Sequence, residues 1–353
     1  MMAYSILILG ASYGSLLGMK LALAGHHVTL VCLPAEQEAI NTNGAVVRMP
    51  IRGREGLVEL RSTEAPGSLR ATGADVDPAG FDLVGLAMQE PQYRVPAVRA
   101  LLERCAKAGK PMMSIMNMPP LAYLKRLPGL DHEALRVAFA DPTVWDAIDP
   151  ALITLASPDP QAFRPPEEPV NVLQVSLPTN FKVARFENPD HTAMLAALDA
   201  DIAAVRHDVD GVATALPVKL KLHDSVYVPL AKWAMLLTGN YRCVTAQGPR
   251  PIREAVHSDP ALSAEVYAWV QDVCVAIGAD RADLVPFEKY AKAAEGLAKP
   301  SSAARALFAG APAIERVDKL VQVIARAHGM AHPAVDETVA LVDAKLAATK
   351  AAA

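Results

Sequence analysis

Hydrophobic positions along this chain fall into two regimes. Up to about residue 117, short apolar runs alternate with stretches of helical periodicity. Residues 4–9, YSILIL, form a continuous apolar run of the kind a buried parallel strand needs. SLLGMKLALAG then takes up a helical period, and Gly25 closes it as a C-terminal cap. HHVTLV at 26–31 predicts a second strand. Strand, tight turn, helix and strand within about 30 residues make a βαβ unit. FDLVGLAM at 81–88 predicts another strand, VPAVRALLERCAKAG at 95–109 a helix, and KPMMSIMN at 110–117 a further strand. Such alternation implies a parallel sheet covered on both faces.

The texture then changes. LRVAFAD, ALITLAS, VNVLQVSL and NFKVARFE, between 135 and 187, read as β-like pieces separated by proline-rich turns. They predict an extension of the sheet with long loops and an antiparallel edge. DHTAMLAALDADIAAV at 190–205 predicts an amphipathic helix. After about 207 the strand signals fade, and 216–349 reads as helices at 225–240, 260–277, 285–295, 301–309, 313–328 and 333–349. The expected fold class is therefore an α/β Rossmann-like domain with a mostly parallel sheet over 1–207, followed by an all-α domain over 208–353.

Composition narrows the function classes. A chain of 353 residues fits two domains and buries a large core without disulfides or metal. Its hydrophobic fraction of 52% and charged fraction of 20% describe a globular protein. A net charge of -4 gives no basic field, which argues against nucleic acid and an anionic membrane as partners. Cys32, Cys105, Cys243 and Cys274 form no CxxC pair and read as free thiols in a reducing compartment. The N-terminus lacks the basic and small-residue features of a secretory signal, and no apolar run approaches ~20 residues, so a cytoplasmic location is expected. His328 and His332 have helical metal-ligand spacing but no third ligand, so no metal is expected. No G-x-S-x-G elbow points to a hydrolase.

The richest chemistry lies between the first strand and helix. Gly10, Ala11, Ser12, Tyr13, Gly14 and Ser15 form a turn in which missing side chains let backbone N–H groups approach a pyrophosphate, with the helix N-terminus adding partial positive charge. Gly18 allows close packing of that helix on the sheet. The spacing G-x-x-x-G departs from the usual G-x-G-x-x-G. The second strand ends in Val31-Cys32-Leu33-Pro34, with neither the acid of an NAD site nor the arginine of an NADP site. Leu33 falls where the adenosine half would lie. Glu36 is placed either to meet the ribose hydroxyls or to sit solvated at a helix start.

Three segments carry a resemblance: GSLLGMKLALAGHHVTLV with INTNGAVVR; LAKWAMLLTGNY with DPALSAEVYAWVQDVCVAIGAD; and PSSAARAL with VDKLVQVIARAHGMAHP. Their order and spacing are similar to the ketopantoate reductase (2-dehydropantoate 2-reductase) family over nearly the whole chain. The resemblance is weakest from about 140 to 215, where this chain is longer. It implies a Rossmann domain plus a helical domain, NADPH or NADH as cofactor with NADPH favoured, and hydride reduction of a small 2-oxo acid to a hydroxy acid.

Residue by residue, the resemblance puts Lys232 at the catalytic lysine, able to donate to the carbonyl oxygen as charge develops there. Lys232, Leu236 and Asn240 are spaced to share one helical face; Asn240 matches an orienting asparagine, and Leu236 replaces another. Trp233 would help to dry Lys232. Asn117 resembles the asparagine that touches both nicotinamide and substrate. Ser302, and beside it Ser301, resemble the serine that grips a substrate carboxylate at a helix start. Two departures argue for a divergent member with another substrate. The family's glutamate falls at Ala313, so Glu315, two residues on, is expected to point elsewhere. The family's lysine after the third strand is absent from LAMQEPQY, leaving Gln89 or Gln92 in that space. A homodimer is expected. Two alternatives remain: an opine-type dehydrogenase using His223 with Asp224, and a non-catalytic dinucleotide-binding protein.

Overall fold

The apolar runs of the first half become strands. The structure is a computed structural model that describes residues 2–351. Strands β1 (Ser5–Leu9), β2 (His27–Val31), β3 (Val46–Met49), β4 (Val58–Arg61), β5 (Ser68–Thr72), β6 (Leu83–Leu86) and β7 (Met112–Ile115) come first. They are followed by β8 (Ile153–Ser157), β9 (Gln161–Phe163), β10 (Val172–Leu177), β11 (Phe181–Ala184), β12 (Arg206–Val209), β13 (Val212–Ala215) and β14 (Leu220–His223). Helices α1 (Tyr13–Leu23), α2 (Pro34–Asn43), α3 (Pro96–Lys107), α4 (Leu121–Leu124), α5 (His132–Leu135) and α6 (Pro189–Ala204) lie among them. The remaining helices are α7 (Lys232–Met235), α8 (Ile252–His257), α9 (Pro260–Ala276), α10 (Phe287–Ala294), α11 (Ser302–Phe308), α12 (Val317–Ala327) and α13 (Pro333–Ala351).

The main sheet has eight strands in the order β14-β11-β8-β7-β6-β1-β2-β5. From β8 to β5 all neighbours are parallel, whereas β11 runs antiparallel to β8. The mostly parallel Rossmann-like sheet and its antiparallel extension thus match the sequence pattern. Ile6, Leu7, Ile8 and Leu9 of β1 are all fully buried, because a strand covered on both faces needs apolar side chains at every position. A second sheet, β4-β3-β10-β9, stands beside it.

Two stretches differ from the sequence reading. LRVAFAD is not a strand: its leucine ends α5, and 136–138 form a 3₁₀ turn. The Asp131 carboxylate accepts from Ala134 N at 3.1 Å and caps that turn, so local capping outweighs the β-like composition. Strands also do not fade after 207. Asp210 and Gly211 both take positive φ, 54° and 77°, and close the hairpin β12–β13; an Asp-Gly pair between two strands is a strong hairpin signal that apolar periodicity does not register.

By contact density the chain forms two compact units. The first comprises residues 1–88, 92–116 and 147–226, and the second 89–91, 117–146 and 227–353. The later break follows from β12–β14, which extend the α/β unit to 226 rather than 207. The second unit is helical, as expected, and borrows 117–146 from the middle of the chain. No helix among the described residues is long and apolar enough to cross a membrane.

Candidate active site

In the first unit, β1 ends in a turn that only glycine can make. Gly10 has φ +104°, and a Cβ there would lie 2.7 Å from the Ala87 carbonyl oxygen. Its N–H donates to Val31 O at 2.9 Å, tying the turn to the end of β2. Gly14 and Gly18 serve packing instead: added Cβ atoms would meet Ile8 at 2.9 Å and Val28 at 3.1 Å. Ser15 is buried and donates its hydroxyl to Ala11 O at 2.5 Å, so it shapes the turn. Ser12 is the N-terminal boundary of α1, makes no capping bond with its side chain, and no acid stands in the first helical turn. Tyr13 packs edge-on against Phe181 at 6.4 Å. The result is an uncapped helix start behind a glycine turn, electrostatically suited to an anion.

At the end of β2, Leu33 is 71% exposed and begins α2. Glu36 Oε2 accepts from Leu33 N at 3.1 Å and so caps the start of α2. The other Glu36 oxygen pairs with Arg164, whose Nη2 also donates to Ala11 O at 2.9 Å. Arg164 follows β9, so the second sheet delivers it to the glycine turn. Sequence reasoning missed it because nothing local links residue 164 to residues 11 and 36. Beside the pair, burial pushes the Cys32 thiol up to about 11, with Glu36 adding to that and Arg164 opposing it.

In the second unit a small pocket is lined by Gln89, Asn117, Leu236, Asn240, Tyr241, Ser302, Ala303, Ile314 and Glu315. Asn117, Asn240 and Ser302 thus come together from three distant parts of the chain. Asn117 follows β7, Asn240 ends a wide π-type turn over Leu236–Asn240, and Ser302 opens α11. Ser301 does not line the pocket. Its hydroxyl donates to Asn240 O at 2.7 Å and accepts from Ala304 N at 3.1 Å, a structural capping role that fixes Asn240. Lys232 is also not a lining residue. The single α turn Lys232–Met235 gives way to i→i+5 bonding over Leu236–Asn240, and both ends of that wider turn line the pocket, while the Lys232 charge acts on Glu315. Trp233 beside it is buried, at 1% exposure.

Glu315 corrects the sequence expectation: it does not point elsewhere but lines the pocket. Its Oε2 accepts from Asn117 Nδ2 at 3.3 Å and its Oε1 from Glu90 N at 3.4 Å. The Tyr241 hydroxyl donates to Glu315 O at 2.5 Å and accepts from Val317 N at 3.0 Å, locking the segment before α12. Counting along a helix failed because Ile314 and Glu315 precede α12 in an irregular connection. Burial holds the Glu315 carboxyl above its ordinary range, while Asn117, main-chain N–H groups and the Lys232 charge pull it back. Glu90 is a second buried acid, raised to about 7 chiefly by burial and further by Glu315. Main-chain Ala140 N donates to its two oxygens at 3.2 and 3.3 Å. Asn117 Oδ1 is buried with no hydrogen-bond partner, which leaves an acceptor for a ligand.

Gln89 lines the pocket, whereas Gln92 belongs to the first unit. His223 ends β14 in the first unit, and no histidine lines the pocket. His332 accepts from Ala334 N and lies 3.4 Å from Glu265, a helix-start arrangement, and no cluster of three metal-ligating side chains occurs among the described residues.

No protein-family model and no curated protein matches this sequence. Solved structures do. A D-mandelate dehydrogenase in ternary complex with NADH and anilino(oxo)acetate aligns with a TM-score of 0.63 at 14% identity, over 98% of this chain and 99% of that one. The 2-dehydropantoate 2-reductase of Methylococcus capsulatus aligns with a TM-score of 0.63 at 15% identity, over 98% and 97%. A dimeric ketopantoate reductase of Staphylococcus aureus gives 0.59 at 12%, over 98% and 99%. At such identities the likeness is one of fold, and it spans the whole chain: this protein has the ketopantoate reductase fold.

Proposed function

We propose that the protein is a cytoplasmic, homodimeric NAD(P)H-dependent oxidoreductase that reduces the carbonyl of a small 2-oxo acid, or a related carboxylated ketone, to the hydroxy acid. The observation that carries this reading is the pocket that unites Asn117, Asn240, Ser302 and Glu315 within range of the Lys232 charge. Structural neighbours that include a D-mandelate dehydrogenase with NADH and a 2-oxo acid derivative support the substrate class.

The glycine turn fits a dinucleotide. Ala11, Ser12, Tyr13 and Gly14 would offer main-chain N–H groups to its pyrophosphate, Gly10 and Ser15 would shape the turn with their N–H groups given to Val31 O and Ser12 O, and Leu33 would cover its adenosine half. Asn117 would accept from a carboxamide N–H through its unpartnered Oδ1. When bound, the reduced nicotinamide supplies the hydride. The residues of this chain do the rest. Lys232 donates a proton to the carbonyl oxygen, so that the oxygen gains H⁺ as its carbon is reduced and no alkoxide is left uncompensated. Asn240 fixes the orientation of the carbonyl, and the Ser302 hydroxyl donates to the substrate carboxylate. Glu315 holds the Asn117 amide nitrogen, which leaves Oδ1 to the ligand, and balances the Lys232 charge. Leu236 and Ile314 give the pocket an apolar wall, suited to a hydrocarbon group on the substrate.

The test is loss of reduced-nicotinamide absorbance with NADH and with NADPH against a panel of 2-oxo acids, each with and without amines. Turnover with a keto acid alone supports the reductase. Turnover only with an amine present would move the assignment to an opine-type dehydrogenase, and binding without any turnover to a non-catalytic dinucleotide-binding protein.

A further inference from the structure

In the first unit, one guanidinium bridges two elements that a dinucleotide would span. Arg164 donates through Nη2 to Ala11 O in the glycine turn at 2.9 Å and through Nη1 to Glu36 at the start of α2. The glycine turn is where a pyrophosphate approaches the backbone, and the end of the second strand is where the ribose 2′ substituent is read. No arginine follows β2 in sequence, since Val31 is succeeded by Cys32, Leu33 and Pro34. The second sheet supplies one instead: β9 and β10 pair antiparallel, β10 pairs with β3, and the chain leaves β9 directly into Arg164. Nη1 and Nη2 each carry two hydrogens and each make one bond, to Glu36 and to Ala11 O, so the fork retains donor capacity.

The acid beside it is already engaged. One Glu36 oxygen caps α2 through Leu33 N and the other pairs with Arg164. A carboxylate so occupied is a poor acceptor for ribose hydroxyls, and its charge is balanced, so it does not repel a phosphate as a free acid would.

We propose that Arg164, with Glu36 as its counter-ion, determines which dinucleotide the first unit takes: the guanidinium holds the 2′-phosphate of NADPH, and Glu36 becomes an acceptor for the ribose hydroxyls of NADH only when Arg164 is absent. This assignment rests on the reading of that unit as dinucleotide-binding. A planar fork matches phosphate geometry in a way a point charge does not, so arginine is the residue type the role needs.

The experiment is direct titration of NADPH and NADH, followed by nicotinamide fluorescence, into the full-length protein and three variants, with thermal melting to confirm that each is folded. The wild type is expected to bind NADPH more tightly than NADH. Arg164→Ala is expected to lose about 10–100-fold in NADPH affinity, the weight of a charge-assisted hydrogen bond, while NADH binding is kept or improved. Arg164→Lys, which preserves charge and stem packing, should keep the preference at reduced NADPH affinity. Glu36→Gln, which frees the guanidinium of its counter-ion, should strengthen NADPH binding and leave NADH binding unchanged. A wild type that prefers NADH would overturn the proposal, as would equal losses of both cofactors in Arg164→Ala. A folded wild type that binds neither would refute the dinucleotide reading itself, which is a different result from binding with an unaltered preference.

Discussion

Asn117 and Glu315 are 198 positions apart and meet as donor and acceptor at 3.3 Å. The carboxyl is fully enclosed, so the amide provides solvation that water does not. Asn117→Ala is therefore expected to destabilise the second unit by about 1–3 kcal/mol, seen as a lower denaturant midpoint at unchanged slope. Asn117→Asp should be worse, and increasingly so as the pH rises from acid to neutral, because two enclosed carboxylates then face each other as they ionise. Equal stability of wild type and Asn117→Asp across that range would refute the contact.

Glu90 gives the fold a distinct pH signature. Its folded pKa, about 7, lies above its ordinary value of 4.5, so the native state holds the proton more tightly than the unfolded state. That stabilisation is complete below pH 4.5 and is lost as the pH climbs to 7. Relative to the wild type, Glu90→Gln should gain stability over this window, by up to about 3 kcal/mol, and stay level above it. A stability difference independent of pH would contradict the assignment.

Lys20 works in the opposite direction. It lies inside α1 at 1% exposure, and burial, with Lys219 nearby, lowers its pKa to about 7 from 10.5. Its Nζ donates to Pro217 O at 3.0 Å, next to Val218, which holds the strained φ of 61°. The unfolded chain binds this proton more tightly, so the wild type gains stability as pH rises from 7 to 10.5. Lys20→Met should be the more stable protein at pH 7, and its advantage should shrink by ~1.4 kcal/mol per pH unit through that window. Loss of the Pro217 bond alone would make Lys20→Met less stable at every pH, and that outcome would discard the reading.

Gly10→Ala combines a positive φ with a contact of 2.7 Å to Ala87 O. A cost of about 1–3 kcal/mol is expected, together with weakened dinucleotide binding. Gly80→Ala is the control: it has open space around it and no positive φ, so melting and binding should not move.

Lys232→Ala should reduce turnover by about 10²–10⁴-fold while nicotinamide fluorescence titrations still report binding, because a proton donor acts in the transition state and not on the cofactor. Retained turnover would remove Lys232 from the reaction.

Some of this protein was legible locally. The fully apolar β1, Gly10 at its end and the helical period of α1 identify the βαβ start, because all three depend on residues within one turn or one strand. Asn240 and Ser302 could be marked from short segments that resemble a known family. Other features were written locally but in a different code: the Asp210-Gly211 turn and the Asp131 cap both outweigh apolar periodicity, which is why β12, β13 and α5 escaped a reading based on hydrophobic spacing.

What the sequence by itself determined is the βαβ start, the strands at the centre of the parallel sheet, the helical character of the later chain and the kinds of chemistry they carry, since backbone conformation responds to burial period, glycine and capping. What only tertiary structure decided is which side chains meet. Glu315 joins Asn117 because the Tyr241 hydroxyl pins an irregular segment before α12. Arg164 reaches Ala11 and Glu36 because a second sheet, pairing strands more than a hundred residues apart, swings it there. Such contacts have no local signature: they arise from long-range packing, where the free energy of one hydrogen bond is small beside that of the core that positions it.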